Sequence, residues 1–164
     1  MNWEAVGAIG EILGAAGVIG SLVFVGWQLL QNTHALRTAT SHSHMEIYSS
    51  LSVHIAENRQ LATLYLSGLA DLSSLDDVDR VRFISFMSSA FRFYETSYVQ
   101  HSKGNLDDEL WEDIEAQLRD MTTAPGVRSW WEMRRHWHSA RFRSLVESLI
   151  ASDGGQPLYE RKKA

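Results

Sequence analysis

Seven histidines are the first residues in this chain that could do chemistry. His42 and Glu46 stand four apart, a spacing that puts both side chains on one face of a helix. His42 and His44 are two apart and face away from each other. No Glu-x-x-His or His-Glu-x-x-His pattern occurs, so neither the di-iron bundle nor the zincin arrangement is met. His136 and His138 flank Trp137 at an expected helix end, where imidazoles commonly bond terminal carbonyls. The serine-rich stretch from Ser41 to Ser52 lacks the strand–turn–helix context of a hydrolase nucleophile. No phosphate-binding loop and no dinucleotide fingerprint are present. We therefore expect no catalytic residues, no metal and no cofactor.

Arg128 to Arg143 is the other stretch with chemical character. Arg128, Arg134, Arg135, Arg141 and Arg143 interleave with Trp130, Trp131, Trp137 and Phe142, and only Glu132 opposes them. Arginine and aromatic residues in alternation suit an anionic lipid surface or nucleic acid. They also suit a core in which arginine stems cover tryptophans and the guanidinium groups pair with acids of a neighbouring helix. The acidic segment Asp107–Asp120 is the expected neighbour. A net charge of −5 and a pI near 5.8 argue against nucleic acid as a partner. Arg128, Arg134 and Arg135 remain candidates for contact with a partner or with headgroups.

The element that organises the chain is Ala5–Leu30. Its only charge is Glu11, and the 19 residues from Ile12 to Leu30 have none. An α-helix needs about 20 apolar residues to cross a bilayer core. Trp3 and Trp27 are 24 residues apart, or ~36 Å along a helix, so both can lie in interfacial belts. Met1–Glu4 holds no Lys or Arg, unlike the start of a secretory signal. Gly7, Gly10, Gly14, Gly17 and Ser21 follow steps of three, four, three and four. Such a seam of small residues lets a second helix approach closely and implies left-handed packing. Glu11 lies in an early turn of this helix; in several copies it would ring the mouth of a pore. Only Arg37 biases the flanks, which favours a cytoplasmic C-terminal domain.

The remaining chain is long enough for one domain with its own core. It has no cysteine, and its two prolines, Pro125 and Pro157, leave a long uninterrupted middle. Apolar residues at spacings of three and four predict helices over Gln31–Ile55, Arg59–Leu69, Asp77–Ser102, Asp107–Met121, Val127–Trp137 and from a Ser139 cap to about Ala151. Asn58 and Asp76 are expected caps, and Gly104 is an expected stop. The fold class is all-α: a single N-terminal transmembrane helix followed by a helical bundle. The domain reading is an anchor at 1–32, a bundle at 33–152 and a tail at 153–164.

The stretches WEAVGAIGEILGAAGVIGSLVFVGWQLLQNTHALR, ENRQLATLYLSGLADLSSLDDVDRVRF, GNLDDELW and PGVRSWWEMRR together resemble a group of small uncharacterised bacterial membrane proteins. The resemblance implies a bacterial source and the same layout, an N-terminal apolar helix with a helical domain; it brings no catalytic residues. The functional expectation is a non-enzymatic, single-pass protein of the bacterial inner membrane. Its partners are the lipid bilayer and either further copies of itself or a membrane complex, reached through the glycine seam. The alternative is an oligomeric channel with Glu11 near its mouth.

Overall fold

The structure, a computed structural model, describes residues 11, 14, 17–29 and 53–159, and among these there is no strand. The chain divides into two compact units, Met1–Ala39 and Thr40–Ala164, a boundary later than the expected one after residue 32.

In the first unit, 17–29 is helical and is called α1; residues 11 and 14 are helical too. Among the described residues no helix is long and apolar enough to cross a membrane. The expected span covers Ala5–Leu30, of which 5–10, 12, 13, 15, 16 and 30 lie outside the described residues.

The second unit is organised around α3, Asp77–Ser102. Its start is local chemistry. The Asp76 carboxylate accepts the Asp79 N–H at 2.8 Å, and Asp77 and Asp79 place negative charge at the positive end of the helix dipole. Its stop is Gly104, which takes the left-handed conformation at φ 71 that glycine adopts without a Cβ penalty. Phe83, Met87, Phe91, Phe93, Tyr94 and Ser97 of α3 are buried, on more than one face, so neighbours must cover it from several sides. Val81, near the start of the same helix, is 63% exposed.

Those neighbours are α2 (Arg59–Ala70), α4 (Asp108–Met121) and α5 (Pro125–Arg134). Asn58 accepts the Leu61 N–H at the start of α2, and Asp107 accepts the Glu109 N–H at the start of α4. Trp111, Ile114, Leu118 and Met121 make the buried stripe of α4. Pro125 opens α5, where its missing N–H costs no helical bond. The last helix, α6 (Ala140–Ser152), packs against α4 and buries Phe142, Val146 and Leu149.

Three expectations are corrected here. The helix foreseen over Val127–Trp137 ends at Arg134 and tightens into a 3-10 turn, Arg135–Trp137. Ser139 makes no side-chain cap on α6; its backbone N–H is held instead by Glu95 of α3, at 2.7 Å. The tail is not separate from the bundle as far as it is described. The Gln156 N–H donates to Asp120 at 2.7 Å, Leu158 packs on the core, and the Tyr159 and Tyr65 rings meet edge-on at 6.3 Å.

One close helix crossing lies inside the bundle. A Cβ added to Gly126 of α5 would fall 1.7 Å from the Gly68 carbonyl oxygen of α2, and one added to Gly68 would fall 2.2 Å from the Phe83 ring. Two glycines let α2, α3 and α5 meet at one point. Beyond it, Phe91, Trp130, Trp131 and Phe142 form the centre of the core, each at most 1% exposed. The Phe91 ring stands 4.6 Å from Trp130 and 5.4 Å from Trp131. Among the described residues the buried indole N–H groups of Trp130 and Trp131 have no hydrogen-bond partner, so these side chains stabilise the fold through area and ring packing.

Candidate functional site

Among the described residues, α1 offers the most exposed apolar surface in the chain. No charged residue lies in 17–29. Val18, Ile19, Leu22, Val23, Phe24, Val25, Trp27 and Leu29 are each 49–67% exposed. These positions surround the helix axis, whereas a helix lying on a globular core shows an apolar stripe on one side only. Around Gly14, Gly17, Gly20 and Gly26 there is open space where a Cβ would go. Gly14, Gly17 and Ser21 share one face by their spacing of three and four. The Ser21 hydroxyl donates to the Gly17 carbonyl at 2.8 Å, which satisfies it within the helix. Phe24 and Trp27 rings lie 6.4 Å apart. Glu11 is helical and exposed. The seam residues Gly7 and Gly10, the belt residue Trp3, and the pair His42 and Glu46 lie outside the described residues.

The arginine-tryptophan segment resolves into two populations. Trp130, Trp131 and Phe142 are core, while Trp137 is 48% exposed. The arginines do pair within the chain, though not with the carboxylates of α4. Arg128 bonds Asp153 at 2.9 Å and, through Nε, the Thr122 carbonyl at 2.7 Å. It thus closes the C-terminal end of α4 and leaves that helix's acidic N-terminal half untouched. Arg135 reaches Glu147 at 3.1 Å and Glu132 at 3.9 Å. Arg143 donates to the His138 carbonyl at 2.9 Å. Arg134 pairs with no acid among the described residues; its guanidinium lies 4.7 Å from the centre of the Trp137 ring.

Sequence reasoning missed Glu95. This carboxylate is buried in α3 and gathers three donors. The Ser139 N–H reaches Oε1 at 2.7 Å, while His138 Nδ1 at 2.8 Å and Arg92 at 2.9 Å both reach Oε2. Burial pushes the carboxyl's pKa upward and is the largest single influence. The bonds from Ser139 and His138 together outweigh it and hold the group below the ordinary glutamate range. His138 was expected to bond a helix-end carbonyl; it bonds this carboxylate instead. The one available signal was a glutamate set among Phe91, Phe93, Tyr94 and Tyr98, where an unpaired charge would not survive burial.

A carboxylate holding an imidazole is also half of a catalytic triad, so its surroundings matter. The His138 side chain is 2% exposed. The rings of Trp131, Phe142, Trp130 and Phe91 close around it, with centroids at 5.3, 5.5, 6.1 and 6.3 Å. A substrate has no approach to that imidazole. The pair works as a tie that fixes the α5–α6 turn to α3.

One open groove of about 490 Å³ runs between α2 and the start of α3, lined by Arg59, Gln60, Thr63, Ser67, Asp79 and Arg82 over Leu64 and Leu75. Its Arg82 is taken by Asp79 at 3.1 Å. Among the described residues, no group of three or more His, Asp or Glu is placed to hold a metal ion. Comparison of the chain with protein-family models, with curated proteins and with solved structures finds no match.

Proposed function

We propose that this chain is a non-enzymatic, single-pass membrane protein whose N-terminal helix anchors a helical bundle at the bilayer and packs there against another helix. One observation carries the reading. The helix 17–29 has no charge and exposes large apolar side chains all round its axis. In water that surface carries a penalty of roughly 25 cal/mol for every Å² left uncovered. A bilayer removes the penalty on every side at once. The uncharged run from Ile12 to Leu30 supplies 19 residues, close to the ~20 that a span requires. Trp27 supplies an interfacial ring near the end of that run.

Within the bilayer the open stripe of Gly14, Gly17 and Ser21 is the packing surface. Lipid tails solvate leucine as well as another helix does, so association there depends on close backbone approach. The resemblance to small bacterial membrane proteins fits an inner-membrane location with the bundle on the cytoplasmic side. The buried Glu95–His138 pair is closed to substrate and is read here as structural.

Replacing Gly14 and Gly17 together by leucine tests the packing surface. The expected result is a smaller particle in mild detergent, read by light scattering on the solubilised protein. An unchanged particle mass removes the stripe from the account.

A further inference from the structure

The turn at Arg135–Trp137 is two-sided. On its inner side, His138 is buried and tied to Glu95 at 2.8 Å, the Ser139 N–H is tied to the same carboxylate at 2.7 Å, and Arg143 holds the His138 carbonyl at 2.9 Å. On its outer side, Trp137 is 48% exposed and Met133 is 40% exposed. From Met133 to Ser144 the chain has four arginines and no acid. The nearest acids, Glu132 and Glu147, are both spent on Arg135, and Arg143 is spent on the carbonyl. Arg134 and Arg141 are left without a carboxylate among the described residues, Arg134 lying against the exposed Trp137 ring. The result is a rigid knuckle with an amphipathic aromatic tip and two unneutralised arginines, on a protein whose net charge is −5.

We propose that this knuckle is a second contact of the chain with the membrane, seated on a bilayer surface that carries anionic lipid. The proposal rests on the membrane reading of α1. Tryptophan favours the headgroup layer, where its ring is half apolar and half wet. Met133 adds apolar area beside it, and guanidinium groups bind lipid phosphates in paired hydrogen bonds. The tie to Glu95 fixes the turn beforehand, so little conformational freedom is lost when it docks. Nucleic acid fits less well. A single exposed tryptophan at this turn is not a platform for successive bases.

The chain has no cysteine, so a single introduced thiol reports one position. His136→Cys and Leu22→Cys are each made in the full-length chain, labelled with an environment-sensitive fluorophore, and reconstituted into vesicles. One set is phosphatidylcholine alone, the other half phosphatidylglycerol. The expected result is that the Leu22→Cys label is lipid-shielded in both. The label at 136 becomes shielded only with phosphatidylglycerol and is released by high salt. Neutralising Arg134 or Arg141 to glutamine weakens the shielding about five-fold for each residue. Circular dichroism of each variant confirms that the bundle is retained. A label at 136 that stays in water on both vesicles, with Leu22→Cys shielded, overturns the knuckle and leaves the anchor standing. Shielding at 136 that follows protein density instead of lipid charge assigns the turn to a second copy and overturns the proposal. Shielding by added RNA without vesicles overturns it too. A Leu22→Cys label open to water in both sets overturns the anchor itself.

Discussion

Glu95 is the only buried carboxylate among the described residues, and three donors depend on it. Replacing it by glutamine removes the charge that holds His138 and the Ser139 N–H together. The expected loss is about 2 kcal/mol of unfolding free energy near neutral pH, measured by urea titration. The pH dependence follows from the direction of its pKa. In the folded chain the carboxyl lies below its ordinary range, so in acid the unfolded chain takes up the proton first. The contribution is complete above about pH 4.3, the ordinary glutamate value, and fades as pH falls through the lower folded value. Wild-type and Glu95→Gln stabilities should therefore converge in acid. A gap that stays constant to low pH contradicts the tie. This residue was hard to read from the sequence because its partner lies 43 positions away. The same holds for Arg128, whose ion-pair partner Asp153 is 25 positions away. Trp130 and Trp131 were legible as core because their density on one short segment exceeds what a surface tolerates.

Most helix ends were legible one by one, since a cap is local chemistry, the end of α5 and the Ser139 cap being the exceptions. Asn58, Asp76, Asp107, Gly104 and Pro125 each act within three residues of their own position. What joins the helices was not. Gly68 lies inside α2, where a glycine weakens a helix. The glycine is there because the Phe83 ring and the Gly126 backbone occupy the space of a side chain. Gly126→Ala should therefore push α2 and α5 apart and cost about 3 kcal/mol, read as a lowered urea midpoint. A stability within a few tenths of wild type would contradict the close crossing. The contrast with α1 is instructive. Among the described residues its glycines meet nothing within 4 Å, and the proposed packing would give them a neighbouring helix.

At the scale of the molecule, every buried apolar residue described lies between Leu64 and Leu149. The second unit, Thr40–Ala164, thus holds a complete core of its own. Expressed without residues 1–39, it should unfold cooperatively with the same midpoint as the bundle in the full chain. Its loss of structure on truncation would contradict the division. The apolar α1 is then free to serve position in place of folding, which is the central claim. Flotation tests it most directly. The full-length chain is reconstituted into lipid vesicles, washed with alkaline carbonate, and spun beneath a density gradient. The account predicts that the protein rises with the lipid, while the 40–164 chain under the same wash stays below. Full-length protein left at the bottom, apart from its lipid, would contradict it.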